Sequence, residues 1–286
     1  MSDIALFWYR CIRYGLNWNN EQKTLLLPIM LTSNPLLSNP VLVAIALNTL
    51  LIGVALAVPK KLLTPAGYGN AWLLGVTIWL AFGWQGYITI LFYFFVGSAV
   101  TKVGMAQKEA YGIAEGRGGV RGPGNVWGSA LTGALCGLVV LALQILSPAS
   151  LNLWQPLLAL GFAASLSTKL SDTTATEIGK AYGQRTFLIT TLQPVPRGTE
   201  GAVSLEGTLA GVVGSLAIAA IAWLCGLISV SGIGICAFAA FCATTVESLI
   251  GATVEEKLGW LTHDLVNIIN TTIGATVAMT LWWLVA

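Results

Sequence analysis

Apolar residues in this chain run in long blocks instead of alternating with polar ones. A membrane-spanning helix needs about 20 mainly apolar residues in succession. Blocks of that kind recur near 41–58, 68–84, 86–101, 125–146, 154–171, 204–228, 231–252 and 264–285. They predict an all-α, polytopic integral membrane protein with about eight transmembrane helices. The uncharged run Trp72–Val100 is long for one helix and short for two. A single helix there would reduce the count to seven. Gly83-Trp84-Gln85-Gly86 reads as a turn, which favours a tight hairpin and eight spans.

Positive charges support the higher count. With eight spans, the loops after spans one, three, five and seven share one side of the membrane. They hold Lys60 and Lys61; Lys102, Lys108, Arg117 and Arg121; Lys169, Lys180, Arg185 and Arg197; and Lys257. The loops on the other side hold no Lys or Arg, and only the N-terminal segment adds Arg10, Arg13 and Lys23. The positive-inside rule puts the four basic loops on the cytoplasmic face, or its organellar equivalent. Residues 1–35 mix Phe7, Trp8, Tyr9 and Trp18 with basic side chains, the composition of an interfacial segment and not of a cleavable signal peptide. Residues 36–286 then form a single transmembrane domain with cytoplasmic-side loops at 101–125, 172–203 and 253–263. Nothing reads as an organellar transit peptide, so a bacterial chain or a processed one is expected, a cyanobacterial source among the candidates.

Composition excludes the other broad classes. The chain is 56% hydrophobic and 9% charged, whereas a soluble domain carries about 25% charged residues. A net charge of +2 gives no basic field for nucleic acid. Glycine is abundant at 32 residues, and the pairs Gly133/Gly137 and Gly207/Gly211 have the spacing that lets membrane helices approach closely. The five cysteines form no CxxC pair and read as small buried hydrophobes. His263 is the one histidine, which excludes a histidine-rich metal site.

Polar residues are costly in a membrane and therefore informative. Four clusters fall at the predicted cytoplasmic ends of the spans. The first joins Ser98, Thr101 and Lys102 to a glycine-rich loop holding Arg121 and Asn125, just before a helix start. Glycine-rich backbone and a helix N-terminus suit an anion such as phosphate, although a flexible loop with basic anchors accounts for the pattern equally. The second spans Lys169 to Lys180. Asp172 and Glu177 offer hard oxygen ligands of the kind Mg²⁺ takes, and the two lysines could hold phosphate. Positions five apart on a regular helix differ by about 140°, so these acids cannot share one metal unless the helix breaks. The third runs from Arg197 and Thr199 to Ser204, where Ser204 also reads as a helix N-cap. The fourth sets Glu247, inside an apolar run, against Asp264, Asn267, Asn270 and Thr271. Asp264, Asn267 and Thr271 share one helix face. Interhelical hydrogen bonding explains part of this set, but two acids with amides exceed what packing needs.

Taken together, these segments resemble a known membrane family. TKVGMAQKEA (101–110), RGPGNVWGS (121–129), SDTTATEIG (171–179), RGTEGAVS (197–204), ESLIGA (247–252) and HDLVNIIN (263–270) look like the family that contains phytyl-phosphate kinase of the vitamin E pathway. The resemblance covers roughly residues 40–285. More distantly, the chain is similar to phytol kinase, dolichol kinase and phosphatidate cytidylyltransferase, through Asp172, Ala175 and Gly179 and through Ser204-Leu205-Glu206-Gly207. It departs from the phytol-kinase pattern at Thr176, where a second acid is usual, and at Val203, where a lysine is usual.

The resemblance implies phosphorylation of phytyl monophosphate to the diphosphate used for tocopherol and phylloquinone. CTP would be the donor and Mg²⁺ the cofactor. Catalytic roles would fall to Asp172, Glu177 and Glu247, with Asp172, Glu247 and Asp264 as metal ligands. Phosphate contacts would come from Lys102, Arg121, Asn125, Lys169, Lys180, Arg197, Thr199, Ser204, Asn267 and Asn270. The partners are thus a nucleoside triphosphate, an isoprenoid lipid phosphate and the membrane, with the oligomeric state open and a dimer among the options. A cytidylyltransferase that makes a CDP-lipid and a small-solute transporter are the alternatives.

Overall fold

The computed structural model describes residues 39–255 and 261–285; the expected interfacial segment 1–35 lies outside them. Eight helices follow in order: α1 Pro40–Ala57, α2 Pro65–Thr101, α3 Met105–Ala110, α4 Pro123–Leu146, α5 Pro148–Tyr182, α6 Leu205–Leu224, α7 Val230–Ile250 and α8 His263–Val285. A short antiparallel ribbon, β1 Thr186–Leu188 with β2 Ala202–Ser204, lies between α5 and α6. Helix starts follow local chemistry. Proline opens α1, α2, α4 and α5, where its missing N–H costs nothing. Asn39, Thr64 and Ser204 cap α1, α2 and α6 with their side-chain oxygens. The fold is all-α and multi-pass, and six of the described helices are long and apolar enough to cross a membrane.

The uncharged run Trp72–Val100 is a hairpin within α2. Gly83 breaks the helix with φ 62° and ψ −157°, a conformation only glycine takes without strain. The two limbs fold back on each other. Trp79 meets Tyr87 edge-on at 5.4 Å, and Gly67 and Gly97, from opposite limbs, both lie against Arg121. A continuous helix would separate those glycines by about 45 Å.

Helix α5 is the central post, packing against α2, α4, α6, α7 and α8. Phe162, Leu166 and Leu170 are fully buried on it. Its neighbours come close through glycine. Gly207, Gly211 and Gly214 of α6 rest on Ala175, Ser171 and Thr174, Gly133 of α4 meets Phe162, and Gly274 of α8 meets Thr168. α5 also runs on as helix to Tyr182, although residues 172–203 read as loop from the sequence. Its 35 residues span about 52 Å, well beyond a hydrocarbon core of about 30 Å. The polar stretch therefore continues the same helix, with the loop beginning only at Gly183.

The four basic loops meet at one end of the bundle. Leu63 bridges to Arg121, joining the first to the second. Gly198 of the third touches Ile113 of the second, and Gly201 touches Ala252 just after α7. At the opposite end, Trp154 of α5 stacks on Trp283 of α8, as aromatic residues do near a membrane interface. This arrangement makes a checkable statement about sidedness. In inside-out vesicles, a cysteine at exposed Leu192 should react with a membrane-impermeant maleimide, and one at exposed Val230 should react only in right-side-out vesicles.

Candidate functional site

Most polar side chains of α5 beyond Phe162 are buried, where a polar group needs a partner; the hydroxyls of Ser167 and Thr168 have none among the described residues. Lys169 is 7% exposed and lies 2.5 Å from Asp172, one turn along. It also donates to the Asn267 side-chain oxygen of α8. Glu177 pairs instead with Lys108 of α3. Lys108 is completely buried and also donates to the Thr101 carbonyl at 2.8 Å. The two acids of α5 thus point different ways on an unbroken helix, each with its own lysine.

The glycine-rich loop before α4 is held tightly rather than loosely. The Arg121 backbone exchanges hydrogen bonds with the first loop, accepting from Thr64 N–H and donating to Leu62 carbonyl, both at 3.0 Å. Its guanidinium donates to Tyr93 Oη at 2.9 Å. It fits there because Gly97 has no side chain, since a Cβ at that position would lie 2.8 Å from the guanidinium. Asn125 turns back to accept from Gly122 N–H at 3.0 Å, closing the first turn of α4.

Glu247 of α7 is only half-buried, and three neighbours surround it. Asn270 of α8 donates its amide N–H to it. Its carboxyl lies within hydrogen-bonding range of Asp172 and within the field of Lys169. The ammonium of Lys169 supplies the positive charge that lets two carboxyl groups stand near each other. Asp264 does not join this pair as expected. It lies against the first turn of α4, where a Cβ on Gly124 would stand 2.0 Å from its carboxylate. A helix N-terminus is a favourable place for a negative charge. Among the described residues, no three carboxylate, histidine or cysteine side chains are grouped to hold a metal ion, which corrects the expected trio of Asp172, Glu247 and Asp264. The helix face predicted to meet Glu247 also divides: Asn267 faces α5, and Thr271 bonds to Thr132 of α4 at 2.9 Å.

A cavity of about 80 Å³ opens among these elements at the basic end of the bundle. Arg121, Asn125, Lys169, Asp172, Glu177, Lys180 and Asn267 of the expected set line it. Glu247 and Asn270 adjoin it through Asp172. Four expected phosphate contacts lie elsewhere. Lys102 is at the C-terminal end of α2, and Arg197 donates to the Ala181 carbonyl at 3.2 Å. Thr199 donates to the Pro196 carbonyl, and Ser204 accepts from Gly207 N–H as the cap of α6. These four shape the loops that border the cavity. Tyr93, Thr176 and His263 line it without having been expected, and Lys108 stands behind Glu177 without lining the cavity. Tyr93 is hidden in an uncharged run, and α3, at six residues, is too short to display a periodicity. Chemically, the cations Arg121, Lys169 and Lys180 share the cavity with the acids Glu115, Asp172 and Glu177 and with the hydroxyls of Tyr93, Thr173 and Thr176.

The Lys108–Glu177 pair should behave as a buried ion pair. Lys108→Met alone leaves a carboxylate without its partner and should lower stability by about 3–5 kcal/mol. The double variant Lys108→Met/Glu177→Leu should recover most of that loss, as read by thermal unfolding in detergent.

Known proteins resemble the chain over most of its length. The model of the integral membrane protein family DUF92 matches residues 48–275. A membrane protein of Synechocystis sp., sll0875, is 60% identical over 85% of this chain and 92% of its own length. Protein VTE6, chloroplastic, of Arabidopsis thaliana is 45% identical over 76% of this chain, which spans 64% of that longer protein. Membrane protein MJ0933 of Methanocaldococcus jannaschii is 30% identical over 73% of the chain and 82% of its own length. No solved structure matches. The expected bacterial affinity agrees with the cyanobacterial relative, and the family resemblance read from the motifs agrees with the match to VTE6. The chain belongs to the DUF92 family of integral membrane proteins.

Proposed function

We propose that this protein is a membrane kinase that transfers the terminal phosphoryl group of a nucleoside triphosphate, CTP by preference, to phytyl monophosphate. One observation carries the reading: the Asp172–Glu247 carboxyl pair stands beside Lys169, and a cavity lined by Arg121 and Lys180 opens at the basic end of a membrane bundle. Phosphoryl transfer asks a protein mainly for positioning and charge neutralisation, and these are the parts that do both. Similarity to VTE6 and to the phytyl-phosphate kinase family supports the same chemistry.

In this reading a phosphate oxygen of the isoprenoid monophosphate attacks the γ-phosphorus. The bond from that phosphorus to the β–γ bridging oxygen breaks, and the nucleoside diphosphate leaves with the electron pair. Arg121, fixed by Tyr93 and by the first loop, and Lys169, fixed by Asp172 and Asn267, hold phosphate oxygens in place. The donor set also fits Mg²⁺. Asn270 Oδ1 is buried with no hydrogen-bond partner, and the same amide holds Glu247, so Asp172, Glu247 and Asn270 offer three hard oxygens. Bound there, the ion would supply positive charge to the phosphates. The isoprenoid tail stays in lipid, where each CH₂ contributes about 0.8 kcal/mol.

The test uses membranes or purified protein with phytyl phosphate, CTP and Mg²⁺. The expected products are phytyl diphosphate and CDP. Release of pyrophosphate with a CDP-lipid would instead identify a cytidylyltransferase. Asp172→Asn and Glu247→Gln should each reduce diphosphate formation by about 100-fold or more. Full activity in both variants would remove these residues from the site.

A further inference from the structure

The cavity is a shaft with a depth axis, and the helices that line it agree on its direction. Along α5, Lys169 and Lys180 are eleven positions apart, about 16 Å at a rise of about 1.5 Å per residue. Along the second limb of α2, Tyr93 precedes Thr101 by about 12 Å. Helices α4 and α8 run the other way, so Asn125 and His263 are their outer members and Ser129 and Asn267 the inner ones. The inner members Tyr93, Ser129, Lys169 and Asn267 are buried; among the outer ones Thr176 and His263 are exposed and Lys180 and Asn125 partly so, while Thr101 and Glu177 are buried. Counting about 20 residues of hydrocarbon crossing from the interfacial Trp154 brings α5 to about residue 174, a little beyond Lys169. The floor of the shaft therefore lies near the inner boundary of the hydrocarbon, and its mouth lies in water.

The cations differ in their ties. Arg121 starts from the loop before α4, at the outer end, and is partly exposed like Lys180, but its guanidinium reaches inward to Tyr93; Lys169 is fixed by Asp172 and Asn267. At the mouth, Lys180 carries no ion pair among the described residues. Its neighbour one turn back, Thr176, shares its face of the helix and lines the cavity, its hydroxyl 3.5 Å from Asp172 Oδ1.

We infer that the two levels bind different substrates: Arg121 and Lys169 at the floor take the phosphate of the membrane-held acceptor, and Lys180 with Thr176 at the mouth takes the phosphates of the soluble nucleotide. This division rests on the kinase reading. A lipid phosphate arrives with its tail in the bilayer, so it reaches the level nearest the hydrocarbon. A nucleotide arrives from water and meets the outer lysine first, its terminal phosphate reaching inward to Asp172. Lys180 is then a specificity-determining residue for the nucleotide, and it has no part in lipid recognition.

Equilibrium binding of radiolabelled CTP and of radiolabelled phytyl phosphate to the purified full chain in detergent tests this without turnover. Lys180→Met should weaken CTP binding about tenfold or more and leave phytyl phosphate within about twofold, with Lys180→Arg restoring most of the CTP affinity. Arg121→Gln should show the opposite pattern. An unchanged thermal unfolding profile shows that each variant is folded, and a Thr176→Val variant reports on the same level should Lys180→Met fail to fold. If the wild type binds both ligands but Lys180→Met loses phytyl phosphate, or loses neither, the division is wrong while the kinase reading stands. If the wild type binds neither ligand, the kinase reading falls and the division with it.

Discussion

A lysine held at the edge of the hydrocarbon is the constraint around which this molecule is organised. An unpaired ammonium at Lys169 would be expensive to bury. Its cost is offset by Asp172 on the same helix and Asn267 on another. Those partners require α8 to approach α5 closely. That approach is allowed by Gly274 against Thr168, and by Gly124 and Gly128, which make room on α4 for Asp264. The small residues and the charged ones are therefore parts of one arrangement: the glycines bring the backbones near enough for short polar side chains to meet.

The same logic explains why α5 remains a helix where its sequence turns polar. Asp172, Thr174 and Glu177 would favour solvent in isolation, but each is engaged by a neighbour, and α6 covers one side of the helix with Gly207, Gly211 and Gly214. A hydropathy profile sees only that the apolar run has ended. It cannot see that Lys108, arriving from a six-residue helix in another loop, will neutralise Glu177.

The divide between what was legible in the sequence and what was not follows the range of the forces. The hairpin at Gly83, the common side of the basic loops and the cap at Ser204 depend on local sequence, and each could be read directly. Asp172, Lys169 and Glu247 stood out because charge in an apolar setting demands a partner. Which partner it finds is a long-range matter. Asp264, Asn267 and Thr271 share a helix face, yet that face meets two helices, so Asp264 goes to α4 and Asn267 to α5. Arg197 and Thr199 had the residue types of an anion site, but their loop folds onto the Ala181 and Pro196 carbonyls instead.

The ties among the inner-face loops carry a further consequence. Leu63 with Arg121, Ile113 with Gly198 and Gly201 with Ala252 link four segments that are far apart in the chain. Through them the ribbon between α5 and α6, the loop before α4 and the segment after α1 share one rim. A side chain at Gly198 or Gly201, both at positive φ and pressed against Ile113 and Ala252, would strain that rim on the side away from the Arg121 guanidinium.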